Sequence, residues 1–397
     1  MSDNLIMPSD RLDGISPSAM RALFEVANKM RAEGKKVIDF GLGDINIPLP
    51  EPVLTGIKSA VDEGKTKYGP NQGELPLREK IAELNNRDHN LDLTLNNILI
   101  SCGSLESLYN IAMAYVNPGD EVLIAEPEFA YFGWQVMLAG GKPVPIGTSM
   151  DNEFMLSVEQ LQNAITPKTK ALLINYPNNP TAAVLTASQF KAIVEVCEDN
   201  NILLISDEAY EKITFDGFKH KSALDFDYKN TLVVNSASKA LCMTGLRVGY
   251  AISTNYDLLK PVIQVHQYNT AHAAVNNQYG VLAGMNHFDA IISNSIEVLQ
   301  TRRDAITKYW SEIPGLKFNQ PKATFYFYPD VTGTGMTGEE FAKFALDLGV
   351  VVVPGNTFCF DKSNPGGANH IRASYGITSP EEIKDAAKIL IDGLNER

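Results

Sequence analysis

Four apolar runs of this chain end in residues able to do chemistry. Ser101-Cys102-Gly103-Ser104-Leu105 follows Ile98-Leu99-Ile100, and Asn175-Tyr176-Pro177-Asn178-Asn179-Pro180-Thr181 follows Leu172-Leu173-Ile174. Ser206-Asp207-Glu208-Ala209-Tyr210 follows Leu203-Leu204-Ile205. Asn235-Ser236-Ala237-Ser238-Lys239 follows Leu232-Val233-Val234, with Arg247 a little further on. Together these stretches supply amides, a carboxylate, a phenol, hydroxyls and cations. One such cluster alone is ordinary turn chemistry, but four in succession describe a polar rim. Backbone N–H groups at Ser104 and Leu105, opening a helix after Gly103, form a ready anion site. Ser236 adds a hydroxyl there and Arg247 a fixed cation.

A rim of this kind needs a sheet to hold it. The runs at 97–100, 121–124, 171–174, 202–205, 231–234 and 248–252 are short and apolar on both faces, as strands of a covered, mostly parallel sheet should be. Helix-like stretches such as Glu106 to Val116 and Ala187 to Asn200 lie between several of them, which reads as an open α/β sheet. Ligands bind such sheets at the carboxyl ends of the strands, where the polar clusters fall. From about Tyr279 the texture changes to a long helical pattern reaching Trp310, then strand-like Phe325-Tyr326-Phe327. A helix from Gly338 to Leu348, the run Val350-Val351-Val352-Val353 and a last helix from Pro380 to Leu394 complete a smaller α+β unit. A helical stretch from Ser16 to Glu33 and the run Val37-Ile38-Asp39-Phe40 precede the sheet. The expected division is an N-terminal segment, 1–45, packing with the small domain, a large domain, 46–285, and a small C-terminal domain, 286–397.

Composition narrows the function. The chain has 397 residues, 44% of them hydrophobic, which suits two or three domains at about 150 residues each. With 47 acids against 34 bases the formal charge is -13, a poor basis for binding nucleic acid. Four scattered cysteines without CxxC spacing argue against a disulfide scaffold or zinc ribbon and fit a reducing compartment. No signal-peptide pattern opens the chain and no apolar run approaches the roughly 18 residues of a membrane span, so a cytoplasmic protein is expected. Gly64-Lys65-Thr66 imitates the end of a P-loop, but Ser59 stands where its first glycine belongs. Gly41-Leu42-Gly43 begins a dinucleotide fingerprint, but Asn46 occupies the third glycine position. His266 and His272 are six apart, off the spacing of a helical metal pair, and no metal is expected.

The polar set suits pyridoxal phosphate (PLP), a cofactor that carries the hard chemistry while the protein orients and tunes it. From about Gly43 to Arg372 the motifs resemble a class I aminotransferase of PLP fold type I, close to the prokaryotic aspartate aminotransferase group. The resemblance implies a large domain with a mostly parallel central sheet plus a smaller α+β domain. Lys239 resembles the lysine that bonds the cofactor and then acts as general base and acid. Burial or neighbouring positive charge must lower its pKa for that role. Asp207 resembles the carboxylate facing the pyridine nitrogen, and Tyr210 and Asn179 the donors to the ring oxygen. Phe129, in Pro127-Glu128-Phe129, resembles the aromatic stacked on the ring. Gly103, Ser104, Leu105, Ser236, Ser238 and Arg247 match the phosphate end. Tyr68, in Tyr68-Gly69-Pro70-Asn71, matches a tyrosine that relatives donate to the neighbouring subunit, which implies a homodimer. Arg372 resembles the arginine that grips the substrate α-carboxylate, and Gly43 the glycine beside it.

The implied activity moves the amino group of an L-amino acid to a 2-oxo acid by a PLP/pyridoxamine phosphate ping-pong cycle. A lyase on the same scaffold, β-eliminating or cyclising, would share nearly every residue, and a PLP-binding regulatory protein without turnover is a third reading. The chain also departs from the family pattern. Asn-Pro-Thr-Gly ends here in Ala182, Pro-x-Gly becomes Pro321-Lys322-Ala323, and Pro-Asp after Gly43-Asp44 becomes Ile45-Asn46. Leu105 stands where some acid-preferring relatives carry lysine, which argues against a preference for aspartate.

Overall fold

The computed structural model describes residues 6–15, 19–129 and 131–397. Strand β1 (Ile38–Asp39) comes first. The central sheet uses β2 (Ile98–Ser101), β3 (Glu121–Glu126), β4 (Lys142–Gly147), β5 (Thr169–Asn175), β6 (Leu203–Asp207), β7 (Thr231–Ser236) and β8 (Gly249–Ile252). Their order is β2-β8-β7-β6-β5-β3-β4, parallel throughout except at β8, which runs antiparallel to both neighbours. Successive side chains of a strand point to opposite faces, and the cores divide accordingly. Ile100, Leu123, Leu172 and Leu204 join one core, while Leu99, Ile124, Leu173 and Ile205 join the other. Both faces are covered, which is why these strands are apolar runs without alternation.

A second group of strands, β9 (Tyr326–Phe327), β10 (Val350–Val351), β11 (Val353–Pro354) and β12 (Ile371–Ser374), lies in the C-terminal part. There β11-β12-β9 form a small antiparallel sheet, and β10 pairs parallel with β1. The N-terminal run Val37 to Phe40 therefore pairs with the C-terminal part, and Phe40 packs edge-on against Trp310 in a third core with Phe327 and Phe341.

Several details differ from the sequence reading. Strand β4 was not foreseen, because Lys142-Pro143-Val144-Pro145 carries two prolines; as the last strand of the sheet it tolerates them. The helical pattern from Tyr279 to Trp310 is two helices, Val275–Met285 and Phe288–Trp310, separated at Asn286-His287. Val350 to Val353 is not one strand, since its halves pair with different sheets. The first helix is Ala19–Ala32, and Ser16 to Ser18 of the expected stretch lie outside the described residues. Helix starts follow the local chemistry: Thr186, Thr337 and Ser379 each cap a helix in a reciprocal box with a glutamine or glutamate three residues on.

Candidate active site

The carboxyl ends of β5, β6 and β7 are adjacent, and register sets Asn175 beside Asp207 and Asp207 beside Val234. Beyond β7 the chain turns directly into the short helix Ala237–Ala240, where Ser236 caps by accepting from the Ser238 N–H at 3.1 Å. That turn aims Lys239 into a cavity of about 380 Å³ at the sheet edge. The Lys239 amine donates to the Gly43 carbonyl at 2.7 Å, tying the rim to the segment after β1. Asp207 accepts from the Ala209 N–H at 3.0 Å. The Asn175 carboxamide donates to the Asp207 carbonyl at 3.0 Å and accepts from the Asn179 N–H at 2.9 Å. One amide thus fixes both neighbouring motifs.

Arg372 enters from β12. It donates to Asn179 Oδ1 at 3.1 Å and to the Gly41 carbonyl at 2.7 Å, between the rings of Tyr326 and Phe358. Tyr210 and Tyr326 share a hydroxyl–hydroxyl bond of 2.9 Å. A Cβ on Gly43 would stand 2.7 Å from the Tyr326 hydroxyl, so the backbone approaches this wall only without a side chain. On the opposite side Gly103, at φ +87°, precedes the helix Ser104–Tyr115, and any Cβ there would run into the Arg247 guanidinium. Ser238 Oγ is buried and has no hydrogen-bond partner among the described residues. A helix N-terminus, a guanidinium and an orphaned hydroxyl on one side of the cavity suit an anion such as a phosphate group.

Burial sets the protonation chemistry. It lowers the Lys239 pKa to about 8, with Arg372 and Arg247 adding to the effect and Asp44 opposing it. Burial raises Asp207 to about 7, against its bond from Ala209 and with help from the Glu208 charge. A cation next to Asp207 would bring it back down. Burial likewise raises the Tyr210 and Tyr326 phenols, so both are neutral hydrogen-bonding groups at neutral pH. The cavity therefore joins an amine close to its titration point with a buried carboxyl group close to its own.

Twelve of the fourteen residues singled out from sequence line this one cavity. Gly43, Asn179 and Arg372 form one part of the wall, and Asp207, Tyr210, Ser238 and Lys239 another. Ser104, Leu105, Ser236 and Arg247 lie on the side of the helix N-terminus and guanidinium, and Phe129 also lines the wall, tilted against Tyr131 at 4.7 Å between ring centroids. Gly103 does not line the cavity; it shapes the loop behind Arg247. Tyr68 is 93% exposed and lies outside the cavity of its own chain, edge-on to His272. Sequence reading assigned no role to Asn175, Tyr131 or Tyr326, all of which line it. Asn175 ends a recognised strand next to a recognised motif, and that position was the available signal.

The fold is that of a fold type I PLP-dependent aminotransferase, a large α/β unit with a cavity at the carboxyl edge of a mostly parallel sheet, lined in part by an arginine from a smaller unit. Comparison with known proteins gives the family. A family model described as aminotransferase class I and II matches residues 35–390. The chain is 36% identical over 389 residues to a probable aspartate aminotransferase of Methanocaldococcus jannaschii, covering 97% of this chain and 99% of that one. It is 34% identical over 397 residues to aromatic-amino-acid aminotransferase 2 of Thermococcus litoralis, covering 98% of both. Among solved structures, aspartate aminotransferase from Thermus thermophilus with maleate superposes with a TM-score of 0.92 at 31% identity, covering 98% of this chain and all of that one. The chain belongs to the class I and II aminotransferase family, and its activity is amino-group transfer. No helix among the described residues is long and apolar enough to cross a membrane.

Proposed function

We propose that the cavity holds PLP on Lys239 and transfers the amino group of an L-amino acid to a 2-oxo acid. The observation that carries this reading is the buried Lys239 amine, its pKa lowered to about 8, in one cavity with Asp207 and Arg372. When bound, PLP supplies an electrophilic carbon for the amino nitrogen and a ring that accepts the electron pair left at Cα. Lys239 takes the proton from the substrate Cα and returns it, a task for which a pKa near operating pH is best. Asp207, ionised by its cationic partner, keeps the ring nitrogen protonated. Tyr210 and Asn179 donate to the ring oxygen, and Phe129 covers the ring face.

Ser104 and Leu105 N–H groups, Ser236, Ser238 and Arg247 hold the phosphate. Arg372 takes the α-carboxylate in its planar fork, and Gly43 leaves room beside it. Tyr68, exposed on its own chain, reaches the phosphate of a second copy, so the working form is a homodimer. Residues 46–285 act as the cofactor-binding domain and 286–397, with 1–45, as the smaller domain that brings Arg372. The setting is cytoplasmic. The test is to supply PLP, one L-amino acid and one 2-oxo acid, and to follow the new amino acid formed from the oxo acid. Formation that stops in Lys239→Ala supports the reading; normal transfer by that variant contradicts it.

A further inference from the structure

Behind the proposed phosphate site lies a buried charge pair that no catalytic step uses. Glu106 stands in the first turn of the helix Ser104–Tyr115 and reaches back to the loop before it. Its Oε2 accepts from the Cys102 N–H at 2.6 Å and so fixes the loop that leads through Gly103 to Ser104. Its Oε1 takes three donors, from His266 Nδ1 at 2.7 Å, Asn110 at 2.8 Å and Thr270 at 2.9 Å. His266 is fully buried, and its other nitrogen, Nε2, lies 3.0 Å from the Asn71 carbonyl.

Both neighbours of the His266 ring are acceptors. Only a ring with a proton on each nitrogen satisfies both, and a neutral ring would turn a lone pair on one of the two oxygens. The geometry therefore makes His266 a cation paired with an anionic Glu106. Burial alone would raise the Glu106 carboxyl, but the hydrogen bond and charge of His266, with the donors from Cys102 and Asn110, hold it below the usual carboxylate range. The Cys102 thiol also faces Glu106, and it is pushed up by burial and by the Glu106 charge.

This arrangement resolves a conflict. Glu106 shapes the anion cup, yet a bare carboxylate in the first turn would occupy the favourable end of the helix and repel a phosphate dianion. We propose that His266 is a positioning residue whose positive ring lets Glu106 build the cup without repelling the phosphate. The same ring holds the Asn71 carbonyl, and Asn71 donates in turn to the Ala271 carbonyl at 2.7 Å, so the loop carrying Tyr68 is tied to the cup. The proposal rests on the reading of Ser104 and Arg247 as the phosphate end.

The test compares two probes on cofactor-free protein, pyridoxal phosphate and pyridoxal, which differ only in the phosphate. His266→Asn strands the buried Glu106 charge and lowers affinity for pyridoxal phosphate by about tenfold or more, with pyridoxal affinity within about twofold. Adding Glu106→Gln removes the stranded charge and restores pyridoxal phosphate affinity to within about threefold of the unaltered protein. Thr270→Val, a milder change that removes one donor to the same oxygen, weakens the phosphate-bearing probe by about two- to threefold. It keeps the test usable should His266→Asn fail to fold. Equal loss of both probes, no loss with either single variant, or no recovery in the double variant overturns the proposal. If the unaltered protein itself binds both probes equally, the phosphate site has been misread and the role of His266 falls with it.

Discussion

Replacing Lys239 by methionine in the cofactor-free protein should make it more stable. The amine is buried, and burial with the nearby Arg372 and Arg247 holds its pKa at about 8. Against an ordinary value of about 10.4, at about 1.4 kcal/mol per tenfold, the charged form costs the fold about 3 kcal/mol. Loss of the bond from Nζ to the Gly43 carbonyl offsets about 1 kcal/mol of the gain, and methionine refills the volume of the stem. The net expectation is a gain of about 2 kcal/mol near neutral pH.

The sign of the pH dependence follows from the depressed pKa. Below about 8 both folded and unfolded chains carry the proton, and the penalty is complete. Between that value and about 10.4 the unfolded chain binds more protons than the folded one, so the native protein strengthens as pH rises. Above it the penalty is gone and methionine has no electrostatic advantage. Urea midpoints of both cofactor-free proteins, measured from neutral pH to the lysine range, would show the gap closing. A variant weaker at neutral pH, or a gap that does not change with pH, refutes the reasoning.

Other consequences can be checked with ordinary kinetics and denaturation. Arg372→Lys exchanges a planar fork for a point donor, and should raise KM for amino acids about ten- to a hundredfold with a smaller effect on kcat; unchanged KM would remove Arg372 from carboxylate binding. Gly43→Ala places a methyl 2.7 Å from the Tyr326 hydroxyl, disturbing its bond to Tyr210, and should raise KM as well. A KM equal to that of the parent would show that the wall yields. Glu128 is fully buried, neither carboxyl oxygen has a hydrogen-bond partner among the described residues, and burial, with the Glu126 and Asp207 charges, raises it well above the carboxylate range. Since the folded chain holds this proton after the unfolded chain has lost it, Glu128→Gln should gain stability as pH rises above about 4.3. Urea midpoints that differ by the same amount at every pH would contradict this.

Much of the site was legible because its residues sit at the ends of strands buried on both faces, and such strands are conspicuous as apolar runs. The clusters after β2, β5, β6 and β7 all reached one cavity for that reason. What escaped depended on distant partners. Tyr326 lies in a two-residue strand and reads as core; its role comes from a bond to Tyr210, 116 residues away. His266 was considered only as a metal ligand, because its actual partners are 160 and 195 residues distant. Strand β4 was hidden by prolines that only an edge position permits. Ala182, where the family pattern has glycine, proves to hold φ at +58°, the left-handed region, so the turn keeps its shape at a cost of about 1 kcal/mol.

The central claim is that one amine, that of Lys239, bonds the cofactor. Adding PLP to the purified protein, reducing with borohydride and mapping the modified peptide by mass spectrometry tests it directly. The account predicts one phosphopyridoxyl group per chain, on Lys239. A modification spread over other lysines, or none at that position, contradicts it.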